Sequence, residues 1–231
     1  MVVLATKIYV EGGARERALD SLGSLVRNDL GELSVSTTVD LRADDFPEVT
    51  IEGEDAVVAG NVLRESWGAI EEPLEPGERY VGTLESWDEN GFVLDAGRPV
   101  RIPADASGLG PGSPSQQRDR FGLVQHLPLA FVYDGVDDRA DDAVHLGRFA
   151  DDELDRLYGW TRGDGRLNVN SATRAEVRAT LNRAGHAQDY VTVERLGLLE
   201  QSVVCTPSTD PPGLLASVGS YLPAELRCVI P

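Results

Sequence analysis

The chain of 231 residues is 41% hydrophobic, which is enough apolar side chain to build a folded core and excludes wholesale disorder. No apolar run approaches the ~18 residues that a membrane-spanning helix needs, and two cysteines are too few for a disulfide framework. The first residues show neither a basic region nor a cleavage site, so we expect a cytoplasmic protein without a signal peptide.

The charge of the chain is strongly acidic, and its basic part is unusual. There are 39 acidic residues against 21 basic ones, a net charge of −18, and Lys7 is the only lysine. Acid excess with almost no lysine favours the cytoplasm of a salt-loving microbe, where molar salt screens charges to within ~3 Å and the net charge says little about partners. The alternative is an acidic mesophilic protein, which would repel nucleic acid and acidic membranes.

Residues 1–70 predict a βαββα unit. Runs of β-branched or alternating residues indicate strands, and apolar residues spaced by three and four indicate helices. The predicted elements are the strands Val2–Val10, Ser34–Leu41 and Glu48–Glu52, and the helices Ala14–Leu30 and Asp55–Trp67. One more strand would complete the order of a ferredoxin-like unit. The acidic, proline-punctuated stretch Glu71–Gly77 then indicates a linker.

Residues 77–134 predict a small β-barrel of the oligonucleotide-binding kind. Four strands are visible, with a turn at Asp88–Gly91 and a helix that begins at Ser113 between the third and fourth. The predicted strands are Tyr80–Trp87, Phe92–Ala96, Pro99–Pro103 and Leu127–Tyr133. This order suggests a five-stranded barrel. The acidic stretch Asp134–Asp142 indicates a solvated loop at a second boundary.

Residues 151–231 predict a helix followed by a complete ferredoxin-like βαββαβ unit. The predicted helices are Asp151–Trp160, Ser171–Ala184 and Asp210–Leu222, and the predicted strands are Arg166–Asn170, Tyr190–Leu199, Gln201–Cys205 and Glu225–Ile230. The fold class is therefore α+β, with two ferredoxin-like units on either side of the barrel.

The last third of the chain carries the candidate anion-binding residues. The net charge is −7 over residues 1–70, −8 over 71–150 and only −3 over 151–231. Arg174 and Arg178 lie one turn apart on a predicted helix, with Arg166 before it and Arg183 at its end. Arginine suits phosphate because its planar fork binds two oxygens. The alternative is that these side chains cover apolar surface and pair with nearby acids such as Glu194.

The barrel segment supplies two candidate stacking residues. The run Gly82–Asp95 resembles the opening of the S-one type of RNA-binding barrel, but the two phenylalanines that stack bases in that family fall here on Asn90 and Val93. Stacking contributes ~1–3 kcal/mol per base, so this loss matters. We take Tyr80 and Phe92 as replacement candidates, with core packing as an equal alternative.

Signals for a metal, a cofactor or catalysis are absent from the sequence. The histidines His126, His145 and His186 have no ligand spacing, so we expect no metal site and no cofactor. We expect Cys205 and Cys228 to be free thiols in the core of one sheet. No catalytic constellation is visible, which leaves an enzyme as the minority hypothesis.

Several short stretches resemble an uncharacterised archaeal protein family, domain of unknown function 2110. The stretches are Val49–Asp55, Leu167–Asn170, Val193–Glu200 and Thr209–Leu214. The resemblance extends over essentially the whole chain. It implies a haloarchaeal cytoplasmic protein and carries no assigned activity or site.

Three functional hypotheses follow. The first is a non-enzymatic adaptor in archaeal transcription or translation that contacts RNA or a nucleoprotein complex, since both predicted folds are common among nucleic-acid-binding proteins, although fold does not fix function. The second is a protein–protein interaction subunit without nucleic-acid contact, which the lost stacking aromatics favour. The third is a small-molecule enzyme, which would need His126 or His186 in a deep polar pocket.

Overall fold

The computed structural model describes residues 1–137, 143–222 and 224–231. In this part of the chain the protein is a mixed α+β structure with six α-helices and three β-sheets. Three clusters of buried apolar side chains form its cores. The predicted α+β fold class is confirmed.

Residues 1–70 form the first sheet and two helices in the predicted order. The elements are β1 (Val2–Val3), α1 (Gly12–Asp29), β2 (Val35–Leu41), β3 (Pro47–Gly53) and α2 (Ala56–Trp67). The strand order is β1-β3-β2 with antiparallel pairs, and Leu4 makes a single antiparallel bridge to Ala69. Each helix buries an apolar stripe, as its spacing predicts.

The first strand is shorter than the predicted Val2–Val10, because the following residues leave the sheet and contact other units. Lys7 is only 7% exposed. Its Nζ lies 3.1 Å from a carboxylate oxygen of Glu85 and 2.7 Å from one of Asp95, both in the next sheet. The β-branched run therefore predicts an extended backbone but not the partners of that backbone.

The second sheet closes into a barrel. Its strands are β4 (Arg79–Asp88), β5 (Gly91–Asp95), β6 (Pro99–Pro103), β7 (Pro128–Asp137) and β8 (Val144–Phe149), in the closed order β4-β5-β6-β8-β7. Helix α3 (Pro114–Phe121) follows β6 and begins with a capping box between Ser113 and Gln116. Gly91 has a φ of 143°, and a side chain there would approach the carbonyl oxygen of Ile102 to 2.0 Å.

The fifth strand, β8, is not among the predicted elements. It pairs antiparallel with β7 and parallel with β6, which closes the barrel. The predicted loop Asp134–Asp142 is wrong for residues 134–137, which belong to β7, and residues 138–142 of that prediction lie outside the described residues. Strand pairing with β8 accounts for the difference.

Helix α4 (Asp151–Trp160) follows the barrel and packs against it. Leu157 and Trp160 belong to the core of the barrel. The buried carboxylate of Glu153 accepts a hydrogen bond from the backbone N–H of Ala130 at 3.1 Å and another from the Nε of Arg156 at 3.0 Å. The helix is therefore fixed to β7 by both apolar and polar contacts.

The third sheet has the strand order β10-β11-β9-β12, with every pair antiparallel. Its elements are β9 (Arg166–Val169), α5 (Arg174–Arg183), β10 (Tyr190–Arg195), β11 (Gln201–Cys205), α6 (Pro211–Val218) with a 3₁₀ turn (Gly219–Tyr221), and β12 (Leu226–Val229). Thr173 caps α5 in a capping box with Glu176, and the Asp210 side chain caps α6. The βαββαβ order is the predicted one.

Candidate anion-binding groove

Two adjoining grooves lie beside helix α5, and both contain Arg174 and Arg195 in their walls. The first has a volume of about 700 Å³ and also contains Arg156 from α4 and Arg166 from β9. The second has a volume of about 650 Å³, contains Arg178, and includes residues of both α1 and α5. We call the two together the arginine groove. It is built by elements that lie far apart in the sequence.

Arg174 and Arg178 are exposed one turn apart on α5, as the sequence predicts. Within the described residues neither forms an ion pair or a side-chain hydrogen bond, whereas arginines elsewhere, such as Arg79 and Arg101, pair with carboxylates. The described lining of the second groove contains three arginines and no carboxylate. On a chain with a net charge of −18, this is a local site of positive potential.

The other two predicted arginines lie in different surroundings. Arg166 pairs with Glu194 and lies 5.5 Å from the ring of Trp160, so it matches the alternative in which arginine pairs with a nearby acid. Arg183 is exposed, but it lines a separate groove beside Tyr221. Arg174 and Arg178 are therefore the two predicted arginines without a carboxylate partner that lie in the arginine groove.

Sequence reasoning missed Arg195, at the end of β10. Its guanidinium lies 4.0 Å from the ring centre of Trp67, so it stacks across the boundary between the third and first sheets. Burial lowers the pKa of Arg195, the charge of Asp29 opposes this, and the like charge of Arg174 adds to the lowering. The two guanidinium groups repel one another, and a bound anion would relieve that repulsion.

Arg156 was also missed, and for a similar reason. Its partner Glu153 is three residues earlier on α4, which looks like an ordinary surface pair in the sequence. Only the packing of α4 on the barrel brings this arginine into the wall of the arginine groove. No spacing in the sequence connects Arg156 or Arg195 with helix α5.

Gln201 is a buried, uncharged residue in the lining of the second groove. Its side chain is buried, and its Nε2 donates to the backbone oxygens of Ala172 at 3.2 Å and Leu198 at 3.0 Å. Its Oε1 has no hydrogen-bond partner within the described residues. Buried polar atoms usually find partners, and this oxygen is an exception that is enclosed beneath the groove.

The two candidate stacking residues lie elsewhere. Phe92 is fully buried in the barrel core, 5.7 Å from the ring of Phe149. Tyr80 is half-buried against Phe131, and its hydroxyl accepts a hydrogen bond from the backbone N–H of Glu75 at 2.8 Å. Phe92 has no exposed face for a base, and both residues follow the core-packing alternative. The physical reason is the small barrel, which needs large side chains to fill its interior.

The three sheets meet at Tyr9, in the segment after β1. Its hydroxyl donates to the Oε1 of Glu200 at 2.7 Å and accepts from the backbone N–H of Ser171 at 2.8 Å, and its ring lies 3.9 Å from that of His126. We call these four residues the Tyr9 junction. Burial raises the pKa of Glu200 to about 8, and the hydrogen bond from Tyr9, which lowers this pKa, offsets only part of the rise. Burial and the charge of Glu200 raise the pKa of Tyr9.

Backbone strain is concentrated around the same segment. The described non-glycine residues with a positive φ are Asp45 at 66°, His126 at 64° and Ser171 at 57°. The carbonyl oxygen of Asp45 accepts a hydrogen bond from the N–H of Ile8, and the other two contact Tyr9. Such conformations persist only where the surroundings hold them. The segment after β1 therefore contacts each of the three residues that hold this conformation.

Within the described residues, no group of three or more histidines, cysteines or acids is arranged to hold a metal. Burial raises the pKa of both Cys205 and Cys228 to about 11, which makes them weak nucleophiles. No helix in the described residues is both long and apolar enough to cross a membrane.

Fold and site together define a mixed α+β protein with three successive sheets and an arginine-lined groove beside the third. The chain belongs to the DUF2110 family. It matches the DUF2110 N-terminal domain over residues 1–73, the central domain over 74–161 and the C-terminal domain over 164–230. The match to the central domain includes helix α4. A comparison with curated proteins gave no match.

Proposed function

We propose that this protein acts as an RNA-associated adaptor in archaeal transcription or translation, and that this role is non-enzymatic: the arginine groove holds the RNA phosphate backbone and catalyses no reaction on it. The observation that carries the proposal is the second groove, where Arg174, Arg178 and Arg195 meet with no carboxylate in the described lining. A planar guanidinium group can bind two phosphate oxygens at once. Three guanidinium groups in one groove could therefore bind successive phosphates of an RNA backbone.

The topology supports this proposal without deciding it. The order β10-β11-β9-β12 is that of a ferredoxin-like sheet, and the first sheet approaches the same order through the Leu4–Ala69 bridge. The barrel, with a helix between its third and fourth strands, resembles an oligonucleotide-binding fold. Both architectures occur among RNA-binding proteins, but function depends on the site.

The site chemistry also predicts how the binding would behave. Without exposed stacking aromatics at Tyr80 and Phe92, affinity would depend on phosphate contacts, with little preference for base sequence. Phosphate contacts release counterions, so the affinity would fall steeply as salt increases.

Fluorescence anisotropy with labelled single- and double-stranded RNA over a KCl series tests the proposal. The double variant Arg174→Glu with Arg178→Glu should weaken binding at least tenfold. A matched control with the same change in charge is Arg27→Glu with Arg162→Glu, two exposed arginines outside the described lining of the groove. An equal loss of RNA affinity in both double variants would show that only the net charge of the protein matters, and it would refute the arginine groove as the RNA-binding site.

The alternative, a protein–protein interaction subunit without nucleic-acid contact, is favoured by the burial of Phe92. It predicts no binding of either RNA at any salt concentration. Affinity pull-down from a high-salt lysate with nuclease treatment separates the two proposals. A protein partner retained after nuclease, together with flat anisotropy, would support the alternative and overturn RNA binding.

A further inference from the structure

A histidine, an aspartate and a serine outside the arginine groove form a hydrogen-bonded chain. The Nδ1 of His186 lies 2.6 Å from the Oδ2 of Asp189, and its Nε2 lies 2.6 Å from the Oγ of Ser217. His186 and Asp189 lie in the one loop between α5 and β10, and Ser217 lies in the last turn of α6. A serine, a base and an orienting carboxylate in this sequence of contacts is the arrangement that activates a serine nucleophile.

The hydrogen bonds specify where the protons lie in the neutral imidazole. An ionised carboxylate only accepts hydrogen bonds, so the Nδ1 of His186 donates to Asp189. The Nε2 then carries the lone pair and accepts the hydroxyl proton of Ser217. This tautomer is the one that a general base needs in order to take a proton from the serine.

The loop that carries the base is held by its own backbone contacts. The N–H of His186 donates to the carbonyl oxygen of Leu181 at 2.9 Å. The carbonyl oxygen of Asp189 accepts from the N–H of Thr206 at 3.1 Å and from the hydroxyl of Thr209 at 2.8 Å. Groups supported in this way keep their positions before a substrate arrives, as efficient catalysis requires.

The site is accessible to substrate. Ser217 is exposed, and the His186 side chain is 21% exposed. A groove of about 340 Å³ lies between the end of α5 and the 3₁₀ turn, lined by Thr180, Arg183, Ala184 and Tyr221. Its lining residues Ala184 and Tyr221 belong to the two segments that carry His186 and Ser217, two residues before the histidine and four residues after the serine. Arg183 is the cation in its described lining.

We propose that Ser217 is the nucleophile of a second, hydrolytic site that acts on small carboxylic esters bearing a negative charge. The groove has room for a small acyl group against Tyr221, and the guanidinium of Arg183 attracts the negative charge. This site is separate from the arginine groove and does not depend on RNA binding.

The reaction balances with water as the only co-reactant. The Oγ of Ser217 bonds to the ester carbonyl carbon while its proton moves to the Nε2 of His186. The tetrahedral adduct then collapses, the bond to the alkoxide breaks, and the alkoxide leaves as an alcohol with the proton from Nε2. Water attacks the acyl-serine, gives one proton to Nε2, and releases the carboxylic acid. Nε2 finally returns the proton to the Oγ of Ser217.

Labelling with a fluorophosphonate probe tests the nucleophile in the full-length protein. The phosphonyl group should attach to Ser217, located by mass spectrometry of the digested protein. Ser217→Ala should remove the label, while Ser220→Ala, a change at an exposed serine three residues later, should retain it. Asp189→Asn keeps the size of the side chain and should slow labelling at least tenfold, because the orienting charge is lost.

Turnover of mono-p-nitrophenyl succinate and of p-nitrophenyl acetate tests the substrate class. The succinate ester should be hydrolysed at least tenfold more efficiently in kcat/KM, and Arg183→Ala should abolish that preference. Thermal unfolding of each variant reports whether it folds. If folded wild-type protein is labelled no faster at Ser217 than at Ser220, or if Ser217→Ala hydrolyses both esters at the wild-type rate, the hydrolytic site is refuted.

Discussion

The buried carboxyl group of Glu200 predicts an unusual dependence of stability on pH. Glu200 is fully buried at the Tyr9 junction, and its Oε2 has no hydrogen-bond partner within the described residues. The change Glu200→Gln replaces the carboxyl with a neutral group of the same size that still accepts from the Tyr9 hydroxyl. We expect this variant to remove the pH dependence that Glu200 causes.

The magnitude follows from the shift in pKa. Burial raises the pKa of Glu200 from 4.5 to about 8, so between these values the folded protein holds a proton that the unfolded chain releases. The stabilising contribution of the neutral group is fully present below pH 4.5 and falls as the pH rises. One pKa unit corresponds to about 1.4 kcal/mol, so the loss approaches roughly 5 kcal/mol at pH 8 and then levels off.

The assay is chemical unfolding at constant ionic strength between pH 5 and pH 9, with wild type and variant measured together. Their difference in the free energy of unfolding cancels all other titrating groups. We expect Glu200→Gln to be close to wild type at pH 5 and several kcal/mol more stable at pH 8.5. Glu54→Gln, at an exposed position, should follow the wild-type curve. A constant difference across the pH range would refute a buried, neutral Glu200.

Three further predictions concern packing, each read from the free energy of unfolding. Gly91→Ala should destabilise by about 2–4 kcal/mol, because the new side chain meets the Ile102 carbonyl at 2.0 Å and the φ is 143°; an unchanged stability would contradict that contact. Phe92→Ala should cost about 3–5 kcal/mol by emptying the barrel core, and a cost under 1 kcal/mol would indicate an exposed ring. Tyr9→Phe leaves the Ser171 N–H and a buried carboxyl without a partner and should cost about 1–3 kcal/mol, with no loss expected only if water replaces the hydroxyl.

Local signals in the sequence predicted the element order well. Helix α3 begins after Ser113, the capping residue that the sequence indicates, whereas α5 begins after Thr173 and not at the predicted Ser171. Strand β8 was missed because an acidic run precedes it and Gly147 interrupts its apolar pattern. In the structure, a side chain at Gly147 would approach the carbonyl oxygen of Val132 to 2.8 Å, so the glycine permits close strand pairing.

The candidate groove was predictable only in part. Arg174 and Arg178 share a helix face, and helical periodicity brings them together in any fold. Arg195 joins them through the packing of a strand against a different unit, which periodicity does not report. The same limit applies to Glu200, since only tertiary contacts show that its carboxyl is enclosed.

The position of Lys7 allows the contact between the first sheet and the barrel to be followed by chemical modification. Burial alone would lower the pKa of Lys7, but its hydrogen bonds and charge pairing with Asp95 and Glu85 raise it above its usual value. The single side-chain amine of the protein is therefore protonated and enclosed between the first sheet and the barrel. An acylating reagent added to the native protein would leave this amine unmodified and would modify it once the two units separate. Lys7 is thus a built-in side-chain probe for the opening of that interface, read from the peptide that contains Lys7 and apart from the exposed α-amine of Met1, and no labelling handle needs to be introduced.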